Sequence, residues 1–161
     1  MDIDWNSVLT GTITFILLII LKVLLDMKLL QIFVKYCSWL PLRNYFRTKP
    51  VSITGLWEQT WESAGSQSFE NATDRHSHPV IKQIGSYCYG EFLSKGITYV
   101  VFGRVIKDYF VGDWYDKNDS LGYFGAFQLQ ILDSKTMKGR WVGHSKTAHE
   151  VKGDTWNWSK I

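Results

Sequence analysis

One stretch near the N-terminus constrains the chain most. It runs from Trp5 to Leu25, about twenty-one residues, and Lys22 is its only charge. At a rise of 1.5 Å per residue, a helix of that length is roughly 30 Å long, which matches the hydrocarbon core of a bilayer. A cleaved signal peptide is a poorer interpretation, because such a segment begins with basic residues and this chain begins Met-Asp-Ile-Asp. The stretch predicts a transmembrane helix, with Lys22 reaching the interface from near its end.

A second apolar stretch covers residues 29–42, but with Lys35 in its middle it is short for a span. Two arrangements stay open. The stretch can lie at the interface as an amphipathic helix, or it can return as a thin second span after a tight turn at residues 26–28, which makes a two-helix hairpin.

Charge near this region predicts the orientation. Arg43, Arg47 and Lys49 follow the apolar stretches, whereas Asp2 and Asp4 precede them. Because basic residues favour the cytoplasmic side, both arrangements leave the rest of the chain in the cytoplasm. We therefore expect a helical transmembrane and juxtamembrane region over 1–49 and a cytosolic domain over 50–161.

The remaining charges exclude one class of partner. The chain has 18 basic and 15 acidic residues, and residues 51–161 hold twelve of each. A domain that binds a DNA or RNA polymer would carry a basic face, so we expect no such partner. Cys37 and Cys88 are the only cysteines, which excludes a disulfide scaffold and offers no zinc spacing.

After Pro50 the sequence changes to short β-rich stretches separated by turn residues. Eight candidate strands follow one another, at 54–62, 79–93, 97–107, 109–116, 121–132, 137–144, 145–151 and 154–160. Short turns between consecutive strands predict an antiparallel meander, and closure into an eight-stranded up-and-down barrel removes both edges. The polar stretch at 63–78 is the candidate for a loop or lid over one mouth of the barrel.

The sequence does not predict an enzyme. It contains no nucleophile elbow, phosphate-binding loop or dinucleotide fingerprint. His76 and His78 have a spacing that can bind a metal, but the sequence shows no third ligand near them, so a solvated loop is the preferred interpretation. We expect no catalytic residue, no metal and no cofactor.

Four glycine-aromatic motifs, joined to the membrane segment, carry a resemblance. They are Gly-Leu-Trp at 55–57, Gly-Glu-Phe at 90–92, Gly-Tyr-Phe-Gly-Ala-Phe at 122–127 and Gly-Arg-Trp-Val-Gly at 139–143. In this the chain resembles the membrane-anchored β-barrel effectors of bacterial cyclic-oligonucleotide antiphage signalling. The resemblance implies that the barrel binds a cyclic nucleotide second messenger, and that ligand-controlled assembly into a homo-oligomer then disrupts the bacterial inner membrane.

A doubly anionic cyclic dinucleotide requires inward cations and aromatic faces. If Glu91 points outward along one long strand, Lys82 and Ser86 point inward, and Arg104 shares a side with Phe102. The predicted ligand-binding residues are Lys82 and Arg104 for phosphate, Trp57, Trp61 and Phe102 for stacking, and Gln59 and Ser86 for base-edge or ribose contacts.

Several alternatives stay open. Trp57 can instead plug the barrel floor, Arg104 can lie on the outer surface, and Arg75 can close over a phosphate from the long loop. The whole barrel can bind a lipid or another apolar ligand, which predicts an interior without cations. It can also be a structural interaction module, which predicts an interior filled by side chains.

Overall fold

A computed structural model describes residues 5–26, 29–41, 50–63, 71–144 and 150–161. The chain divides into two compact units, residues 1–33 and residues 34–161. Some sequence predictions fall wholly or partly outside the described residues: the turn at 26–28, the basic residues Arg43, Arg47 and Lys49, residues 64–70 of the loop at 63–78, and the strand at 145–151.

The first unit contains helix α1, Trp5–Asp26, and the start of helix α2, Leu29–Cys37. From Phe15 to Leu21 every side chain of α1 is exposed by between 46% and 64%. Since successive residues of a helix are rotated by about 100°, this run presents apolar side chains on every face. The side chains described in α1 are those of residues 9–22.

Within the described part of the chain, no helix is both long enough and apolar enough to cross a membrane.

The second unit confirms the predicted barrel. It is a closed antiparallel barrel of eight strands, with one short extra strand, β2, paired to β1. The barrel closes where β1 pairs with β9, from Trp57 opposite Lys160 to Trp61 opposite Trp156. The strands are β1 Gly55–Trp61, β2 His76–Ser77, β3 Val80–Ile84, β4 Tyr87–Ser94, β5 Ile97–Ile106, β6 Tyr109–Asp116, β7 Phe124–Ile131, β8 Thr136–His144 and β9 Val151–Lys160.

One boundary prediction was wrong in a way that matters for the site. The stretch predicted as one strand over 79–93 is a hairpin, with a two-residue turn at Gly85-Ser86 between Ile84 and Tyr87. Gly85 has a φ of 57°, a conformation that costs glycine little and other residues more. Because the chain reverses there, inward and outward positions along β3 differ from those of a continuous strand.

Side chains fill the barrel interior. The core combines aliphatic residues from β3, β5, β7 and β8 with aromatic residues such as Trp57, Phe92 and Phe110. Trp57 is fully buried at one end, and its indole Nε1 donates a hydrogen bond to the carbonyl oxygen of Ile53 at 2.8 Å. Gly103 and Gly112 face each other across β5 and β6, where an added Cβ on Gly103 would lie 2.1 Å from the Val111 carbonyl oxygen. Such close backbone approach requires glycine.

Replacing Trp57 by alanine tests how much the closed end contributes to stability. The substitution leaves a cavity and a buried Ile53 carbonyl without its donor, so we expect the free energy of unfolding to fall by about 3–5 kcal/mol. Urea unfolding of the full chain in detergent, followed by circular dichroism, measures the change. Leu121→Ala is the control, because Leu121 is 82% exposed; an equal loss in both variants would contradict the packing described here.

Candidate functional site

The barrel wall opens into a slot between β2 and β4. The ladder between β3 and β4 runs from Ile84 opposite Tyr87 to Lys82 opposite Tyr89, and ends there. Beyond that point lies an open pocket of about 350 Å³, which we call the slot. Its lining residues are His76, Ser77, His78, Glu91, Phe92, Leu93 and Thr98. The slot is therefore a lateral depression in the wall with Phe92 at its base, separate from the end that Trp57 closes.

Contacts between β4 and the segment before β2 bound the slot at its far end. The Ser94 hydroxyl donates a hydrogen bond to the carbonyl oxygen of Asp74 at 2.7 Å. Next to it, the Lys95 ammonium lies 3.4 Å from the Asp74 carboxylate. The slot is thus bounded at one end by the ladder between β3 and β4, and at the other by the contacts of Ser94 and Lys95 with Asp74. These contacts at both ends fix its width.

Two lining residues connect the slot to the barrel interior. Ser77 lies opposite Gln59 of β1, and the Gln59 amide Nε2 donates to the Ser77 hydroxyl at 2.6 Å. Phe92 belongs to the core, stacked on Tyr99 with ring centroids 5.3 Å apart and edge-on to Trp156 at 6.1 Å. Phe92 therefore stands between the slot and a group of buried side chains inside the barrel, which we call the aromatic layer. It consists of Gln59, Tyr99, Trp156 and Trp158.

That layer contains buried polar atoms without partners. Among the described residues, Gln59 Oε1, Tyr99 OH, Trp156 Nε1 and Trp158 Nε1 have no hydrogen-bond partner. Gln59 and Trp158 are directly opposed in the β1–β9 ladder, so an unpaired acceptor and an unpaired donor sit on neighbouring side chains. Each such group costs about 1–3 kcal/mol, which a bound molecule with matching polar atoms would recover.

Tyr99 keeps its proton at neutral pH. Burial, and then the negative charge of Asp116, raise the pKa of its phenol to about 12. The hydroxyl is consequently available inside the barrel as a neutral donor.

On the outer rim of the slot, Glu91 is the centre of a charged network. Its carboxylate lies 2.5 Å from the Lys35 ammonium and 2.9 Å from that of Lys117, and it accepts a hydrogen bond from the Tyr89 hydroxyl. Burial alone would raise the pKa of Glu91, but the hydrogen bonds from Lys35, Tyr89 and Lys117 outweigh it and lower the pKa to about 2.

The last turn of α2 is held against the barrel by the same network. Val34 is fully buried in an outer cluster with Ile84, Tyr89 and Val100. The Lys82 ammonium donates to the carbonyl oxygen of Lys35 at 2.9 Å, which caps one of the free carbonyls at the end of this helix. Apolar burial and charge pairing together fix residues 34–37 to β3–β5.

Four predicted site residues lie elsewhere than expected. Lys82 shares the outer face with its partner Tyr89, because the hairpin at Gly85-Ser86 reverses the predicted alternation. Ser86 is in that turn, where its carbonyl oxygen accepts from the Val105 amide at 2.7 Å. The prediction that Lys82 and Ser86 point inward was wrong.

Phe102 and Arg104 also face outward. Phe102 stacks on Tyr87 with ring centroids 6.3 Å apart, as part of the outer cluster that contains Val34. Arg104 is exposed on the same face of β5. The interpretation that placed Arg104 on the side of Phe102 was right, but that side is the outer one, because Tyr99, Val101 and Val105 fill the interior.

Trp57, Gln59 and Trp61 are brought together inside the barrel, as predicted. Trp57 and Gln59 are fully buried, and Trp61 packs edge-on to Phe92 with ring centroids 5.8 Å apart. Trp57 fits its alternative role as a plug, with the Lys160 ammonium 5.7 Å from its ring centroid.

Sequence reasoning missed the residues that complete the site. Along β5, Tyr99 alternates with Val101 and Val105, which point inward, and along β9 Trp156 and Trp158 are two positions apart. This period-two signal was present in the predicted strands at 97–107 and 154–160. Ser77 was assigned to the long polar loop, and its hydrogen bond to Gln59 across 18 residues has no local signal.

Comparisons of the chain with protein families, with curated proteins and with solved structures find no match.

The Glu91 network predicts a specific dependence of stability on pH. Because the pKa of Glu91 falls from its ordinary 4.5 to about 2 on folding, the ionised carboxylate stabilises the fold above about pH 4.5. That contribution is lost as the pH falls towards 2. We expect Glu91→Gln to lower the melting temperature at pH 7, and the difference from the wild type to disappear near pH 2.

Thermal unfolding at a series of pH values measures this difference. Glu150→Gln is the matched control, because Glu150 is exposed. A Glu91→Gln deficit that is as large at pH 2 as at pH 7 would show that the side chain acts through packing rather than through its charge.

Proposed function

We propose that this protein is a membrane-anchored effector whose barrel takes up a small ligand through the slot. Helix α1 lies in the bacterial inner membrane, and the barrel lies in the cytoplasm. The ligand is a cyclic nucleotide second messenger, and its binding controls assembly of a homo-oligomer that disrupts the membrane during antiphage defence. The single observation that carries the proposal is a lateral depression next to an aromatic layer with unpaired polar atoms.

The chemistry of that layer suits a nucleobase. Tyr99 OH, Trp156 Nε1 and Gln59 Oε1 supply two donors and one acceptor for the edge of a base. Tyr99 and Trp156 offer it aromatic faces once Phe92, which now packs against both, moves aside. The slot, which lies outside this layer, has a volume of about 350 Å³. Because Phe92 separates slot and layer, uptake requires Phe92 to rotate, and this side chain acts as the gate.

The anchor is supported by the exposed surface of α1. A helix that is apolar on every face is not stable against water, and a lipid bilayer provides the matching surroundings. The basic residues that follow it in the sequence favour the cytoplasmic side for the barrel.

Two observations favour other functions for the same barrel. Lys82 and Arg104 lie outside, which is the arrangement expected for a lipid or another apolar ligand. The interior is filled by side chains, which is the mark of a structural interaction module. Both alternatives make no use of the unpaired donors inside the barrel, and this difference allows a direct test.

Tyr99→Phe separates these functions, because it removes only the unpaired hydroxyl. In the ligand-free protein we expect a gain of about 1 kcal/mol in the free energy of unfolding, since a buried donor without a partner disappears. In calorimetric titrations with cyclic dinucleotides we expect binding to the wild type, and an affinity about two- to tenfold lower for the variant. Tyr87→Phe, on the outer face, is the matched control.

Binding that is equal in the wild type and in Tyr99→Phe would place the ligand outside the barrel interior. Heat from fatty acids but not from cyclic dinucleotides would support the apolar-ligand alternative. Absence of heat with every compound, together with unchanged tryptophan fluorescence, would support the interaction module.

A single charge in α1 tests the anchor. Leu17→Arg places a guanidinium near the middle of the helix, which costs about 2.5–3.5 kcal/mol in membrane insertion. We expect the wild type to stay with the membrane after alkaline carbonate extraction, and a large share of the variant to move to the supernatant. Leu121→Arg, in an exposed turn of the barrel, is the matched control; the same partition for all three proteins would argue against the span.

A further inference from the structure

Three side chains on the outside of the barrel form a compact set of metal-binding atoms. Glu58, His76 and His78 each offer one ligand atom, and these atoms all lie within 4.8 Å of one another. His76 Nε2 is 2.6 Å from the Glu58 carboxylate, and the two imidazole rings are 4.7 Å apart between centroids. All three are at least partly exposed, so an ion can reach them from solvent.

The pairing of β1 with β2 explains the cluster. Thr60 lies opposite His76 and Gln59 opposite Ser77. Extending this register by one residue brings Glu58 opposite His78, and side chains at alternate positions share a face. Ser77 and Gln59 point into the barrel, so Glu58, His76 and His78 all point outward.

The hydrogen bond between His76 and Glu58 involves only two of the three side chains in the cluster. Two imidazole nitrogens and one carboxylate oxygen are ligands of zinc and of other divalent first-row transition ions, and a water completes four-coordinate zinc. His78 takes no part in the hydrogen bond between His76 and Glu58, yet its ring lies against that of His76.

We propose that Glu58, His76 and His78 bind a divalent transition-metal ion, with zinc as the representative ion. The metal displaces the hydrogen bond between His76 and Glu58: the proton on His76 Nε2 moves to Nδ1 or is released to solvent, and the ion then accepts a lone pair from each of the three side chains. Small side-chain rotations bring the ligand atoms to zinc distances of about 2.0–2.2 Å.

The ion would act on the slot. His76 and His78 line it, and they belong to a segment joined to β1 through a two-residue strand. Coordination by Glu58 ties that segment to β1 from outside, as Gln59 ties Ser77 from inside. Metal binding therefore stabilises one wall of the slot, independently of which ligand the slot takes up.

Zinc titration of the full chain tests the proposal. The protein is used without an affinity tag, in detergent, after treatment with a chelator, and zinc chloride is added in a calorimeter. We expect one ion per chain. Loss of a direct ligand should cost at least as much as loss of an outer-shell partner, so His78→Ala and Glu58→Gln should each weaken binding by more than about tenfold.

His144→Ala is the matched control, because His144 lies on β8 outside the cluster, and it should bind zinc as the wild type does. Zinc should also raise the melting temperature of the wild type but not that of His78→Ala, which separates a bound ion from a folding defect. Magnesium, which prefers oxygen ligands, should not compete. Absence of zinc binding by the wild type, or a loss smaller than about tenfold in His78→Ala and Glu58→Gln, would overturn the proposal.

Discussion

Strand β1 is the constraint on which the rest of the structure depends. Along one edge it closes the barrel against β9, and along the other it pairs with both β2 and β3. Between those two strands the Trp57 amide donates to the Pro79 carbonyl oxygen at 2.9 Å, so β1 holds the whole segment from 76 to 81. On the other edge of this segment, the pairing of β3 with β4 ends at Lys82 opposite Tyr89. The slot exists because β4 does not pair with the segment beyond that point, whereas β1 does.

Alternation along β1 gives three neighbouring residues three different roles. Trp57 points inward and plugs one end, Glu58 points outward towards the histidines, and Gln59 points inward beneath Ser77. A shift of one residue in the β1–β9 register would exchange the inner and outer faces, so it would expose the plug and bury a carboxylate. Closure of the barrel and placement of the site are therefore set by the same pairing.

The sequence predicted the class of fold well, because repeated short apolar strands with turn residues between them have few other solutions. Two of its boundaries were wrong. The hairpin at Gly85-Ser86 divides one predicted strand in two, and the turn predicted between residues 151 and 154 lies inside β9, Val151–Lys160. A glycine followed by a serine between two β-rich stretches was a readable hairpin signal.

The faces of the strands were harder to predict than the strands themselves. Missing one turn inverted the alternation at Lys82, although Trp57, Gln59 and Trp61 were assigned correctly from a strand without such a turn. Glu58 could not be recognised as a neighbour of His76 and His78, because the pairing joins residues 18–20 positions apart in the chain. Non-local pairing of this kind leaves no periodic signal.

Charge at the slot decides how an anionic ligand would lie in it. The two cations predicted to bind phosphate are outside, and Lys160, on the inner face of β9, sits beside the plug at the closed end. At the rim, Glu91 is paired with both Lys35 and Lys117, so these three side chains together carry one net positive charge. Under the proposed function, a nucleotide with its base in the aromatic layer would therefore keep its phosphates at the rim, where that charge lies. Glu58 opposes this arrangement from the other wall, and a divalent ion held by Glu58, His76 and His78 would reverse the sign of that wall and make both walls of the slot attractive to phosphate.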